Sequence, residues 1–198
     1  MADETSTAPK INYVDTSIGF FPLVLALICG VATGVLWAYA NPIQLVPGVI
    51  QWRIFAFLPP LIGLLLGPKS GFITGYVGTI VWSLLAGTFI PAHSLLVDGI
   101  MVGLTGFVPP YIVNLRKNDF DTSMPVLIKV AVTSLVVGIV MVVAVSASLA
   151  YLGIFPFDYA MLYIGLSDIV PMVVGTPLLL IPGLRILAGI SRGSLHWF

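Results

Sequence analysis

Long apolar runs with almost no charge in them leave this chain few ways to fold. Only 8% of its residues are charged, 59% are hydrophobic and the mean hydropathy is +1.10. A water-soluble domain needs a far more charged surface. A bilayer core holds no water to bond backbone N–H and C=O groups, so dense apolar runs must close those bonds internally, as helices. At about 20 residues per crossing, the 198 residues accommodate about six spans in one domain.

The runs fall at 18–40, 50–66, 70–90, 94–114, 124–152 and 158–190. The expected architecture is therefore an all-α membrane protein. It has six transmembrane helices in one bundle over residues 18–190, flanked by tails at 1–17 and 191–198. The second span is short and carries Pro59-Pro60. The last contains Pro171, Pro177 and Pro182 and is expected to be bent or broken. Between spans two and three, Gly67-Pro68-Lys69-Ser70 is strong turn chemistry. Gly71 and Gly75 follow at helical spacing, where a missing side chain lets another backbone come close.

Basic residues set the orientation. With six spans, Lys10, Lys69, Arg116, Lys117, Lys129, Arg185 and Arg192 share the side of both termini, and Arg53 stands alone on the other. The positive-inside rule then places both termini in the cytoplasm. Residues 1–10 are polar and acidic and lack the basic start of a signal peptide, so they are expected to stay as a short cytoplasmic tail.

Several functions are excluded. The one cysteine, Cys29, rules out an intrachain disulfide and a cysteine-rich metal site. His93 and His196 fall on opposite sides, so no histidine metal centre is expected. A net charge of zero gives no footprint for nucleic acid. Gly63 to Ser70 superficially has the look of a phosphate loop, but it is one residue short between the glycines, and Pro68 has no N–H to offer. Neither a zinc-protease motif nor a nucleophile–base pair stands out, so the chain is not expected to be an enzyme or to carry a cofactor.

Charge inside the spans is the sharper signal. Burying a lone charge in hydrocarbon costs several kcal/mol unless it is paired, hydrated or snorkelling. Arg53, Asp98 and Asp168 all fall in the half of the bundle away from the termini and are expected to line one polar pocket opening there. Arg53 also reads as a snorkelling residue, and Asp98 as its structural partner or a helix-end contact. Trp82 and Tyr163 fall deep enough to stack on a flat ligand. Trp52 and Tyr159 suit an interfacial aromatic belt. His93, in a loop beside Pro91, reads either as a solvated residue or as a ligand contact. In the first span Ala26, Gly30, Gly34 and Ala38 are spaced four apart. Such a stripe serves either a partner subunit or a neighbouring helix of the same chain.

Taken in order, these motifs resemble those of the substrate-binding S components of energy-coupling-factor (ECF) vitamin transporters. The six-span layout agrees. The stretch from Arg53 through Pro59-Pro60 to Gly67-Pro68-Lys69-Ser70-Gly71 and Gly75 resembles the family's second-to-third span region. Asp98-Gly99-Ile-Met-Val-Gly103-Leu-Thr-Gly106 resembles its fourth span. The Ala26/Gly30/Gly34/Ala38 stripe resembles the face that docks on the transmembrane T subunit, though with glycine at two places where the family favours alanine. The resemblance covers most of residues 18–190. It implies capture of a vitamin or similar nutrient outside a prokaryotic cell membrane; the substrate contacts expected from the charge and aromatic placement above are Arg53, Trp82, His93, Asp98, Tyr163 and Asp168. It also implies partners: the T subunit and a pair of cytoplasmic ATPases, with no ATP site in this chain. Two other readings stay open, an accessory subunit of a larger membrane complex and a self-sufficient ion-coupled carrier. A two-half carrier usually shows internal symmetry, and none is evident here.

Overall fold

The computed structural model describes residues 19–40, 43–46, 50–115 and 120–192. The expected tail at 1–17, with Lys10, lies outside them, as do Arg116, Lys117 and His196. The described chain is helical apart from one small hairpin. Helix α1 spans Phe20–Tyr39. Strands β1 (Gln44–Val46) and β2 (Ile50–Gln51) pair antiparallel. A 3-10 turn, Ile54–Phe57, leads into α2, Leu58–Leu66. Helix α3 is Pro68–Leu85 and α4 is Pro91–Val113. Helices α5, Met124–Tyr151, and α6, Phe157–Arg192, complete the chain.

Four of these are long and apolar enough to cross a membrane: Pro22–Tyr39 within α1, α4, α5, and Phe157–Ile186 within α6. The second expected span shrinks to Ile54–Leu66, because residues 50–51 belong to the hairpin. Thirteen helical residues rise only about 20 Å, against a hydrocarbon core of about 30 Å. The expected third span becomes an 18-residue helix whose buried face is Ser70, Gly71, Thr74, Gly75, Gly78, Thr79 and Ser83 rather than apolar side chains. The fourth begins at Pro91, three residues earlier than the sequence suggests, since proline suits a first helical turn. Helix α6 runs unbroken through Pro171, Pro177 and Pro182. Each proline still deletes one helical donor, so the carbonyls of Ser167, Val173 and Leu178 lose their usual i+4 N–H partner.

Glycine sews α2, α3 and α4 together. Gly67 alone separates α2 from α3, with φ +110° and ψ 162°, a conformation that glycine adopts without strain. Pro68 then opens α3 with its fixed φ. A Cβ on Gly63 or Gly71 would collide with the Gly106 carbonyl oxygen, and one on Gly75 would lie 2.5 Å from the Val102 carbonyl oxygen. The three backbones therefore touch, as the small-residue spacing suggests.

The same device joins α1 to α3. Ala26, Gly30 and Gly34 are buried, and Ala38 is half-buried. A Cβ on Gly30 would lie 2.8 Å from Val77 Cβ; on Gly34 it would lie 2.6 Å from Val81 Cβ. The Thr74 hydroxyl donates to the Ala26 carbonyl at 3.4 Å. The stripe is thus spent inside the chain, and the opposite face of α1, with Leu27, Ile28, Val31 and Val35, is exposed. Gly34→Leu is accordingly expected to loosen the α1–α3 contact and lower thermal stability in detergent by several degrees. Overpacking costs about 1–3 kcal/mol. A melting point equal to wild type would show that α1 is not held by this edge.

Candidate functional site

The two ends of the chain's polar interior meet where the hairpin hands over to the 3-10 turn. Arg53 sits at that junction. Its backbone N–H donates to Ser167 Oγ at 3.2 Å, and its Nη1 lies 3.3 Å from Asp168 Oδ2. This is the one salt bridge among the described residues, with side-chain exposures of 12% and 4%. The guanidinium carbon lies 3.8 Å from the Trp82 ring centroid and 5.4 Å from that of Trp37. A cation over an indole face is attracted by the ring's negative quadrupole, more strongly when desolvated. Arg53 is therefore held by three things at once: a carboxylate and two aromatic faces.

Ser167 ties the junction to α6. Its Oγ is 2.9 Å from both the Gln51 carbonyl oxygen and Asp168 Oδ1. A hydroxyl has a single proton, so it can donate to only one of these at a time. Pro171 meanwhile supplies no N–H to the Ser167 carbonyl. This turn of α6 is consequently rich in acceptors and short of donors.

Helix α4 brings the second acid. After Pro91–His93 it widens into a five-residue π-helical turn, Ser94–Asp98. Such turns re-aim side chains and occur often at functional sites. Asp98 is 4% exposed, and no ion pair or side-chain hydrogen bond holds it among the described residues. It lies one turn before Val102 and two before Thr105, on the same face. Val102 and Thr105 line a narrow void together with Trp37, Arg53, Ala56, Met141, Asp168 and Met172. The void has room for about one water.

The sequence reading of His93 needs correcting on one point. His93 is only 7% exposed, not solvated, and its Nδ1 lies 3.0 Å from Ser148 Oγ on α5. It sits inside α4 because the helix starts at Pro91. Of the six expected contacts, Arg53 and Asp168 line the void and Trp82 stacks on Arg53, whereas His93, Asp98 and Tyr163 are not among its lining residues. Tyr163 instead joins an aromatic ladder along the start of α6, 4.5 Å from the Tyr159 ring, which lies 5.8 Å from Phe155.

Sequence reasoning missed Trp37, Ser167, Ser148, Met141 and Met172. Trp37 had a usable signal, since it continues the buried face Ala26, Gly30, Thr33, Gly34 at helical spacing. Ser167 had a weaker one, its position directly before Asp168. The two methionines carry no signal beyond hydrophobicity. Buried polar atoms without a hydrogen-bond partner include Gln51 Oε1, Trp52 Nε1 and Trp82 Nε1. Among the described residues, no group of three or more His, Cys, Asp or Glu side chains is placed to hold a metal.

Comparison with protein-family models, with curated proteins and with solved structures gave no match.

Proposed function

We propose that this chain is a membrane-embedded capture subunit for a small nutrient such as a vitamin, energised by other proteins. The observation that carries the reading is the buried Arg53–Asp168 pair beside Trp37 and Trp82, lining a void between helices of a chain with four membrane-length helices. Convergent polar groups with apolar and aromatic walls are the usual make-up of a small-molecule site. The proposed topology keeps six crossings. Arg53–Leu66 and α3 complete the set as a closely linked pair, and both termini lie in the cytoplasm by the basic-residue bias. The cell membrane of a prokaryote, a T subunit and two cytoplasmic ATPases follow from the family resemblance.

The void takes a water and not a vitamin, so binding requires its walls to part. The partner surface must also differ from the expected one, since Ala26, Gly30 and Gly34 face α3. A T subunit would meet the exposed ridge of Leu27, Val31 and Val35 instead.

The test is native mass spectrometry of the purified protein, followed by release and identification of any retained molecule. One small organic molecule per chain, lost in Trp82→Ala, is the expected result. The tight interior favours a second reading, an accessory subunit with Arg53–Asp168 as a purely internal link. A chain that retains nothing and co-purifies with a larger membrane complex would establish that instead.

A further inference from the structure

The ion pair and the void share a wall. Arg53 and Asp168 both line it, and Ala56, Val102, Met141 and Met172 supply the apolar part of its lining. The Thr105 hydroxyl, also on the wall, already donates to the Val102 carbonyl at 2.7 Å. One space therefore meets one positive group, one negative group and a mainly hydrocarbon remainder.

The pair itself is lightly joined. One nitrogen meets one oxygen at 3.3 Å. A forked guanidinium–carboxylate contact would make two bonds of about 2.7–2.9 Å. Each charge also has an anchor of its own. The guanidinium lies against the Trp82 and Trp37 rings, and the Ser167 hydroxyl is 2.9 Å from Asp168 Oδ1. Parting the two charges thus leaves both held at the edge of the same space. What parting removes is the counter-charge of two groups only 12% and 4% exposed, and a stranded buried charge is costly. A guest of single charge compensates one of them and strands the other. A guest carrying both charges compensates both.

Resting on the capture reading, we propose that the guest is a compact zwitterion, an α-amino acid with an apolar side chain, which enters between Arg53 and Asp168. Its carboxylate takes the guanidinium, and its ammonium takes the Asp168 carboxylate. The two charged groups of an α-amino acid sit on one carbon, so they fit between protein charges that start in contact. The Trp82 and Trp37 faces stay with Arg53 throughout. The guest's side chain lies on Val102, Met141 and Met172.

Three probes that share an alkyl chain and differ in charge test this: L-norleucine, hexanoate and pentylammonium. The second lacks the ammonium and the third lacks the carboxylate. Each is titrated into the full-length protein in detergent near neutral pH, with calorimetry and melting temperature as readouts. L-norleucine is expected to bind at least about a hundredfold tighter than either singly charged probe, because each of those leaves a buried group unmatched. Arg53→Met with Asp168→Leu is expected to lose norleucine binding while keeping its helical circular dichroism. Norleucine binding no tighter than that of hexanoate or pentylammonium would overturn the assignment, and this comparison in the wild-type protein stands whether or not the double variant folds. So would the absence of saturable norleucine binding, or its survival in the double variant. In these cases a retained neutral or singly charged molecule in the mass spectrum would leave the capture reading standing. If norleucine does not bind and nothing is retained, both readings fall.

Discussion

Arg53→Ala is expected to destabilise the protein by about 3–5 kcal/mol, the usual cost of stranding one member of a buried ion pair. Asp168 is only 4% exposed and has no second cation within salt-bridge distance among the described residues. Its remaining partner, the Ser167 hydroxyl, cannot replace a charge. The Trp82 and Trp37 faces would also lose the guanidinium between them. Equilibrium unfolding in mixed micelles measures the loss directly. The double replacement Arg53→Met with Asp168→Leu is expected to recover most of it, because removing both charges removes the desolvation penalty. If Arg53→Ala unfolds like wild type, the pair is hydrated and the seam between α6 and the hairpin is open to water.

Gly106→Ala is expected to cost more than the roughly 1–3 kcal/mol typical of an overpacked core. The added methyl would collide with the Gly71 carbonyl oxygen and lie 2.7 Å from the Pro59 carbonyl oxygen. Both obstacles are backbone, so no rotamer change relieves them. Gly165→Ala is the matched control. Its Cβ would meet Val142 Cγ1 at 3.8 Å and Ile169 Cδ1 at 3.9 Å, ordinary contacts in a helix. Alanine is favoured over glycine there by about 0.5–1 kcal/mol, so the control is expected to be neutral or slightly stabilising. Folded yield and melting temperature of the two variants, side by side, check the pair. Equal behaviour would mean that α2, α3 and α4 are not in backbone contact.

The sequence makes some parts of this molecule plain and hides others for physical reasons. Apolar run length fixes α1, α4, α5 and α6 closely, because a bilayer leaves helices as the natural solution for such runs. Residues 50–66 mislead because hydropathy cannot separate a short strand from the start of a helix. The turn at Gly67-Pro68 is legible because those two residues allow few other conformations. That Arg53, Asp98 and Asp168 are held inside the chain is legible in outline, since intramembrane charges seldom face lipid. Their actual pairing is not. Asp98 reads as a natural partner for Arg53, yet the guanidinium goes to Asp168, because Ser167 fixes the Arg53 backbone against that turn of α6. The stripe on α1 shows the opposite failure. Small residues announce that something comes close but not what, and here it is α3.

Gly67 carries a consequence for motion. With a single residue as hinge pin, and with carbonyls of α4 lodged against their glycines, α2 and α3 cannot drift apart and must travel as one plate. Helix α6 meets the hairpin at Asp168 through hydrogen bonds and one ionic clasp, and its Ile169 packs beside Gly138 of α5. Any opening of the interior must therefore leave α2 and α3 together and move other helices against that plate.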